Sequence, residues 1–166
     1  MTHAGPVVAL GGLLMMTACS GGYGDGSASD NGGNPETISI TSDAFFDGSP
    51  IPERYSCDGE NLSPPLTWVG VPAEVASLRL TVTDPDAPNG NFVHWSVRDI
   101  GPRVAGVGEG TSPPGVESTN DAGSVGWAGP CPPPDDEPHR YIFLVEAVNE
   151  SGEVVAEGSL LGTYDR

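Results

Sequence analysis

Apolar and polar residues alternate along several short stretches of this chain, and glycine and proline separate these stretches from one another. A period of two residues is typical of a β-strand that buries one face. The pattern predicts strands at residues 37–41, 66–68, 78–83, 92–100 and 140–148, with one or two short strands in 154–164. Because strands recur at short spacing and no helical period exceeds about three turns, we predict an all-β fold, a two-sheet antiparallel β-sandwich with little helix.

The same alternation assigns side chains to faces. In the last long strand it places His139 and Tyr141 on one face and Arg140 on the other. In the strand before the long loop it places His94 opposite Trp95. Each histidine lies near the beginning of its strand, so the two imidazoles are expected to meet at one end of a sheet if these strands are neighbours.

Two segments between the strands are predicted to be irregular. Residues 47–50 form a turn signal, and residues 101–138 are dense in glycine and proline. A loop as long as the second segment is uncommon in a compact domain, and it is usually either functional or disordered.

A stiff acidic turn follows strand 78–83, with the sequence Asp84-Pro85-Asp86-Ala87-Pro88. Proline fixes its own φ and restricts the residue before it, so this segment is expected to be rigid. The two carboxylates are candidates for a polar site shared with the histidines. The alternatives are structural: Asx turns at both aspartates, a buried structural role for His94, and an ion pair that holds Arg140.

Composition excludes one large class of partners. The chain has 166 residues, which suits one domain, and its net charge is −17 because 23 acidic residues face six arginines and no lysine. A nucleic-acid partner requires a basic surface that neutralises phosphates, so no nucleic acid is expected.

The first residues resemble an export signal. A short apolar segment ends at Met16-Thr17-Ala18-Cys19, which is similar to the lipobox of a bacterial lipoprotein. We predict a signal peptide at 1–18, a lipidated Cys19 with a Gly/Ser-rich tether over 19–35, and a domain over 36–166 anchored to the outer face of the cell membrane. The absence of Lys and Arg from residues 1–6 departs from the usual signal pattern. The alternative is an apolar N-terminal strand.

Two cysteines remain once Cys19 is set aside. Because an exported protein meets an oxidising environment, Cys57 and Cys131 are expected to form a disulfide. Two separate buried thiols are the alternative. Metal binding is a weaker one, because the pair lacks a Cys-x-x-Cys spacing.

Four segments together resemble the phosphatidylethanolamine-binding protein family in its bacterial, kinase-inhibitor-like branch. The resemblance covers roughly residues 36–166, and the segments follow the family's order and spacing. They read Tyr55-Ser56-Cys57-Asp58-Gly59-Glu60-Asn61-Leu62-Ser63-Pro64-Pro65-Leu66-Thr67-Trp68, Asp84-Pro85-Asp86-Ala87-Pro88 with Val93-His94-Trp95, Gly129-Pro130-Cys131-Pro132-Pro133, and His139-Arg140-Tyr141. The resemblance implies a two-sheet β-fold with a small pocket for phosphate-like anions, including a phospholipid head group. The implied lining is Asp84, Asp86, Pro88, His94, Gly129, Cys131, Pro132, His139 and Tyr141.

Each type of lining residue has an expected role. Imidazoles, the phenol O–H and backbone N–H groups of the Gly129 turn are donors to phosphate oxygens. The aspartates are expected to orient the histidines and keep them charged, or to bind an ammonium group. Two features depart from the family: Trp127 replaces a usual tyrosine, and residues 149–153 replace about a helix, which would leave the pocket more open.

The leading hypothesis is a non-enzymatic binding module without cofactor or metal. One alternative is a surface inhibitor of a protein target such as a protease. Another is a metal-assisted hydrolase that uses the Asp/His cluster, although neither a local His spacing nor a nucleophile elbow supports it.

Overall fold

The computed structural model describes residues 1–3, 5 and 36–166. The strands lie in the second of two compact units, Gly33–Arg166, and the first unit is Met1–Gly32. Cys19, the tether and most of the signal segment lie outside the described residues, so the predicted boundaries stay predictions. No helix in the described part of the chain is long and apolar enough to cross a membrane.

A seven-stranded sheet forms the larger layer. Its strands are β1 (Glu36–Thr37), β3 (Ser49–Pro50), β5 (Ser77–Asp84), β6 (Phe92–Ile100), β8 (Val116–Glu117), β9 (His139–Val148) and β10 (Val154–Tyr164). Their order in the sheet is β1-β10-β9-β5-β6-β8, and β3 also pairs with β10. The central pairings are antiparallel, whereas β1 and β3 pair with β10 in parallel.

A three-stranded sheet forms the smaller layer, in the order β2-β4-β7. Its strands are β2 (Ser39–Thr41), β4 (Leu66–Val69) and β7 (Gly106–Val107), all antiparallel. A single 3-10 turn at Glu53–Tyr55 is the one helical element among the described residues. The prediction of an all-β fold with little helix is confirmed.

One apolar core joins the two sheets. The small sheet contributes Leu66 and Trp68, and the large sheet contributes Leu80, Trp95 and Phe143 among others, each at most 2% exposed. The prediction that β9 alternates is confirmed, since His139 and Tyr141 are buried and Arg140 between them is exposed.

β6 departs from simple alternation. His94 and Trp95 are both buried, although a period of two places them on opposite faces. The register explains this, because Val82 pairs with Trp95 while Thr83 pairs with Val93, so His94 is the extra residue of a β-bulge. A bulge redirects one side chain toward the face that its neighbour already occupies.

The irregular segments contain more order than predicted. Strand β3 includes Ser49 and Pro50 of the predicted turn, and residues 101–138 contain the short strands β7 and β8. These two-residue strands carry no alternation that a sequence could show. The segment 154–164 is one strand rather than two, with a bulge near its start.

The predicted disulfide is confirmed. Cys57 and Cys131 are bonded, with an S–S distance of 2.06 Å and a sequence separation of 74 residues. The bond joins the loop after the 3-10 turn to the turn that precedes β9, and Cys57 N–H also donates to the Pro130 carbonyl at 3.0 Å.

Candidate functional site

Three strand ends meet at one edge of the large sheet. Because β5 lies between β6 and β9 and runs antiparallel to both, its last residue, Asp84, lies beside the first residues of its neighbours. A cavity of about 650 Å³ opens at this edge. Eight of the nine predicted residues line it: Asp84, Pro88, His94, Gly129, Cys131, Pro132, His139 and Tyr141.

A buried carboxylate–imidazole pair forms one wall of the cavity. His139 Nδ1 donates to Asp84 Oδ2 at 2.8 Å, and both side chains are at most 6% exposed. The second oxygen, Asp84 Oδ1, accepts the Asp86 backbone N–H at 2.8 Å. Asp84 therefore makes the Asx-type contact and orients an imidazole at the same time. The other imidazole nitrogen, His139 Nε2, lies 3.7 Å from Asp136 Oδ2 at the surface.

Asp86 lies outside the cavity, contrary to the predicted lining. Its carboxylate accepts two hydrogen bonds from the Arg140 guanidinium, at 2.7 and 2.8 Å, and one from the Arg140 backbone N–H. These hydrogen bonds lower the pKa of Asp86 to about 2. The physical reason is geometric: Arg140 is on the outward face of β9, and it holds Asp86 there. The predicted ion pair of Arg140 with an acid is present.

His94 lies against the aromatic side of the cavity. Its Nδ1 donates to the Ala128 carbonyl at 2.7 Å, and its ring contacts Phe92 and Tyr141 with centroid distances of 4.8 and 5.1 Å. Burial lowers the pKa of His94, an effect that the Ala128 carbonyl and the Asp84 charge oppose. The expectation that nearby acids keep both histidines charged is therefore wrong for His94, because loss of hydration outweighs the attraction.

The turn at Gly129 shapes the cavity wall, but the Gly129 N–H does not donate a hydrogen bond to a ligand. Gly129 N–H donates to the Asn61 side-chain oxygen at 2.8 Å. Contrary to the prediction, this N–H is therefore not available to a ligand. A Cβ at this position would collide with the Tyr55 carbonyl and the Asn61 side chain. Glycine is required here because the turn approaches a neighbouring backbone closely.

Tyr141 contributes a buried hydroxyl close to Asp84. Its hydroxyl is buried and has no hydrogen-bond partner among the described residues. Burial raises the pKa of Tyr141, with a further contribution from the Asp84 charge, so the phenol keeps its proton at neutral pH. A buried hydroxyl without a partner is costly, and a ligand that accepts its proton removes that cost.

Comparison with known proteins identifies the family of this chain. The family model described as phosphatidylethanolamine-binding protein matches residues 41–162. The chain belongs to the phosphatidylethanolamine-binding protein family. A "UPF0098 protein" of Methanothermobacter thermautotrophicus is 40% identical, with 78% of this chain and 99% of the relative aligned. The "Putative lipoprotein LppC" of Mycobacterium tuberculosis is 41% identical, with 84% of this chain and 73% of the relative aligned.

Solved structures of the phosphatidylethanolamine-binding protein family show the same fold. A homologue from Chlamydia trachomatis has a TM-score of 0.72 and 37% identity, over 79% of this chain and 99% of the other. The E. coli member YbcL has a TM-score of 0.72 and 29% identity, over 78% of this chain and 98% of the other. The predicted family and fold are confirmed.

The two departures from the phosphatidylethanolamine-binding protein pattern lie outside the cavity lining. Trp127 is partly buried and packs against the core, with ring centroids 5.8 Å from Trp95 and 6.1 Å from Phe143. The segment 149–153 is a tight turn between β9 and β10. It lies at the far end of β9 from His139, about 30 Å away at roughly 3.3 Å per residue. Its shortness therefore does not open this cavity.

Several residues that line the cavity were not predicted from the sequence to do so. They are Cys57, Asn61, Ala87, Asn89, Gly90, Asn91, Phe92, Asp121, Ala122, Ala128 and Pro133. Asn61 and Cys57 belong to a segment that resembles the family, so that resemblance could have indicated them. Asp121 comes from the long loop, where it accepts the Val93 N–H at 2.7 Å, and no periodic signal marks it.

Proposed function

We propose that this domain is a non-enzymatic binding module whose cavity accepts a phosphate-like anion, either free or as a phospholipid head group. The observation that carries the proposal is the Tyr141 hydroxyl, a buried donor without a partner in the described residues, in the wall of a 650 Å³ cavity. Family membership supports the same reading, because the family's description names a phospholipid.

The charges at the site limit how an anion binds. Asp84 and Asp121 both line the cavity, and no arginine is among its described lining residues. The contact with His139 offsets the charge of Asp84 when that imidazole carries two protons. The anion is then held by hydrogen bonds from uncharged donors such as the Tyr141 hydroxyl rather than by a guanidinium. We expect modest affinity and high sensitivity to the loss of one donor.

The proposed location is the outer face of the cell membrane, through a lipid on Cys19. The relative from Mycobacterium tuberculosis that carries the name "Putative lipoprotein LppC" supports this proposal. Replacing Cys19 with serine should move the full chain from the membrane fraction to the soluble fraction of expressing cells. Equal membrane retention of both forms would contradict the tether.

Titration with inorganic phosphate tests the anion site. We expect phosphate to shift the imidazole NMR signals of His94 and His139 in the full chain. Tyr141→Phe removes only the donor hydroxyl and should weaken binding by about tenfold, equivalent to about 1.4 kcal/mol. His94→Ala should abolish the shifts at the remaining histidine.

Tyr55→Phe is the matched control for that titration. The Tyr55 hydroxyl donates to Glu109 at 2.6 Å and does not line the cavity, so its loss should leave phosphate affinity unchanged. Equal weakening by both variants would contradict a specific role for Tyr141. Tight stoichiometric zinc or manganese would instead favour the hydrolase hypothesis. Inhibition of a protease by both wild type and His94→Ala would favour a surface inhibitor.

A further inference from the structure

The cavity offers a ligand hydrogen-bond acceptors as well as donors. Its acceptors include the carboxylates of Asp84 and Asp121, whereas Tyr141 supplies the one buried hydroxyl without a partner in the described chain. A fully ionised anion presents only acceptors, so it can use the hydroxyl but is repelled by the carboxylates. An anion that also carries an O–H can satisfy both kinds of group.

The Asp84 carboxylate can accept at least one further hydrogen bond from a ligand. Each of its oxygens takes one hydrogen bond from the protein, Oδ1 from the Asp86 N–H and Oδ2 from His139 Nδ1. Since an ionised carboxylate has about four lone-pair positions, capacity remains on both oxygens. A ligand O–H that donates to this buried carboxylate makes a charge-assisted bond, which is about twice as strong as a neutral one.

His94 is a second acceptor in the same wall. Because a carbonyl oxygen accepts only, the contact with Ala128 shows that His94 Nδ1 carries a proton. In a neutral imidazole the other nitrogen, Nε2, is then an acceptor. Burial, opposed by the Ala128 carbonyl and by the facing carboxylates Asp84 and Asp121, lowers the pKa of His94 and favours this neutral form.

We infer that the cavity selects oxyanions that carry a proton, meaning hydrogenphosphate and the protonated form of phosphomonoesters, over sulfate and phosphodiesters. The ligand O–H donates to Asp84 or to His94 Nε2, while a ligand oxygen accepts from Tyr141. This inference rests on the proposed anion site and narrows its ligand class. Among phospholipid head groups the cavity therefore favours monoesters, because a phosphodiester head group has no P–O–H for Asp84 to recognise.

Sulfate is the sharpest probe of this inference. At about pH 8 inorganic phosphate is largely a dianion that keeps one O–H, whereas sulfate is a dianion of the same shape without a proton. Calorimetric titration of the full chain at fixed ionic strength should show phosphate binding at least about tenfold tighter than sulfate. Dimethyl phosphate, a phosphodiester, should bind as weakly as sulfate.

Asp84→Asn tests whether Asp84 causes the preference for phosphate over sulfate. The amide removes the negative charge and supplies N–H donors in nearly the same shape, so sulfate should bind more tightly and the phosphate-to-sulfate ratio should fall by about tenfold. Asp43→Asn is the matched control, because Asp43 is exposed and does not line the cavity, so this variant should retain the preference for phosphate. Circular dichroism of both variants checks that they are folded.

The possible outcomes separate the two proposals. Equal affinity of wild type for phosphate and sulfate overturns the selectivity while the anion site stands. An unchanged ratio in a folded Asp84→Asn variant also overturns it. Absence of binding by phosphate, sulfate and dimethyl phosphate overturns the anion site and the inference together. If phosphate is selected, binding to vesicles that contain phosphatidic acid assigns the monoester to a lipid, and its absence assigns it to a soluble phosphate.

Discussion

Replacing Phe143 with alanine should lower the free energy of unfolding by about 3–5 kcal/mol, a large share of the stability of an ordinary domain. Phe143 is fully buried in the central part of β9, with ring centroids 5.5 Å from Phe45 and 6.1 Å from Trp127. The substitution leaves a cavity that these aromatic neighbours fill only in part. Urea denaturation of the full chain, followed by tryptophan fluorescence, measures the change.

Phe46→Ala is the matched control for this prediction. Phe46 is 83% exposed in the loop before β3, so its loss should change the free energy of unfolding by less than about 0.5 kcal/mol. Similar losses in both variants would show that the core does not depend on Phe143.

Because Trp127 immediately precedes Ala128, we also expect the Phe143 variant to weaken phosphate binding through the cavity wall that Ala128 and Gly129 form.

Removing the disulfide should have the second large effect. The double variant Cys57→Ser, Cys131→Ser opens a loop of 74 residues, and chain entropy predicts a loss of about 4 kcal/mol in the free energy of unfolding. Both cysteines also line the cavity, so phosphate affinity should fall along with stability. Denaturation midpoints and the phosphate titration measure the two effects.

Chemical reduction provides the control for the disulfide prediction. A dithiol reductant should lower the denaturation midpoint of the wild type toward that of the double variant. The midpoint of the double variant should not respond to the reductant. If reduction leaves the wild-type midpoint unchanged while free thiols appear, the disulfide does not stabilise the domain.

The long strands could be predicted from the sequence because each buries one face. Alternation gave the strand 92–100 with its observed bounds, and the other long strands within one or two residues, together with the buried and exposed faces of β9. The same rule placed His94 incorrectly relative to Trp95. A bulge depends on the partner strand, and β5 is the partner that pairs around His94.

Most residues of the candidate site could be predicted from the sequence, whereas their hydrogen-bonding roles could not. The resemblance to the family named eight residues that line the cavity, and it also named Asp86, which does not. Asp86 is held by Arg140, 54 residues away in the chain. Asp121 has no local signal at all, because it joins the site from an irregular loop.

The sequence by itself determined the fold class, the paired cysteines, the family and most of the residues that surround the cavity. These properties follow from local periodicity, from residue identity and from motifs that are contiguous in the chain. Only the tertiary structure decided which polar groups remain free for a ligand. The Asn61 side chain, 68 residues away, accepts the hydrogen bond of the Gly129 N–H, and the Ala128 carbonyl accepts that of His94 Nδ1. The Tyr141 hydroxyl has no partner among the described residues. A group's hydrogen-bonding capacity is satisfied by whichever neighbours folding brings within about 3 Å, and those neighbours are distant in sequence.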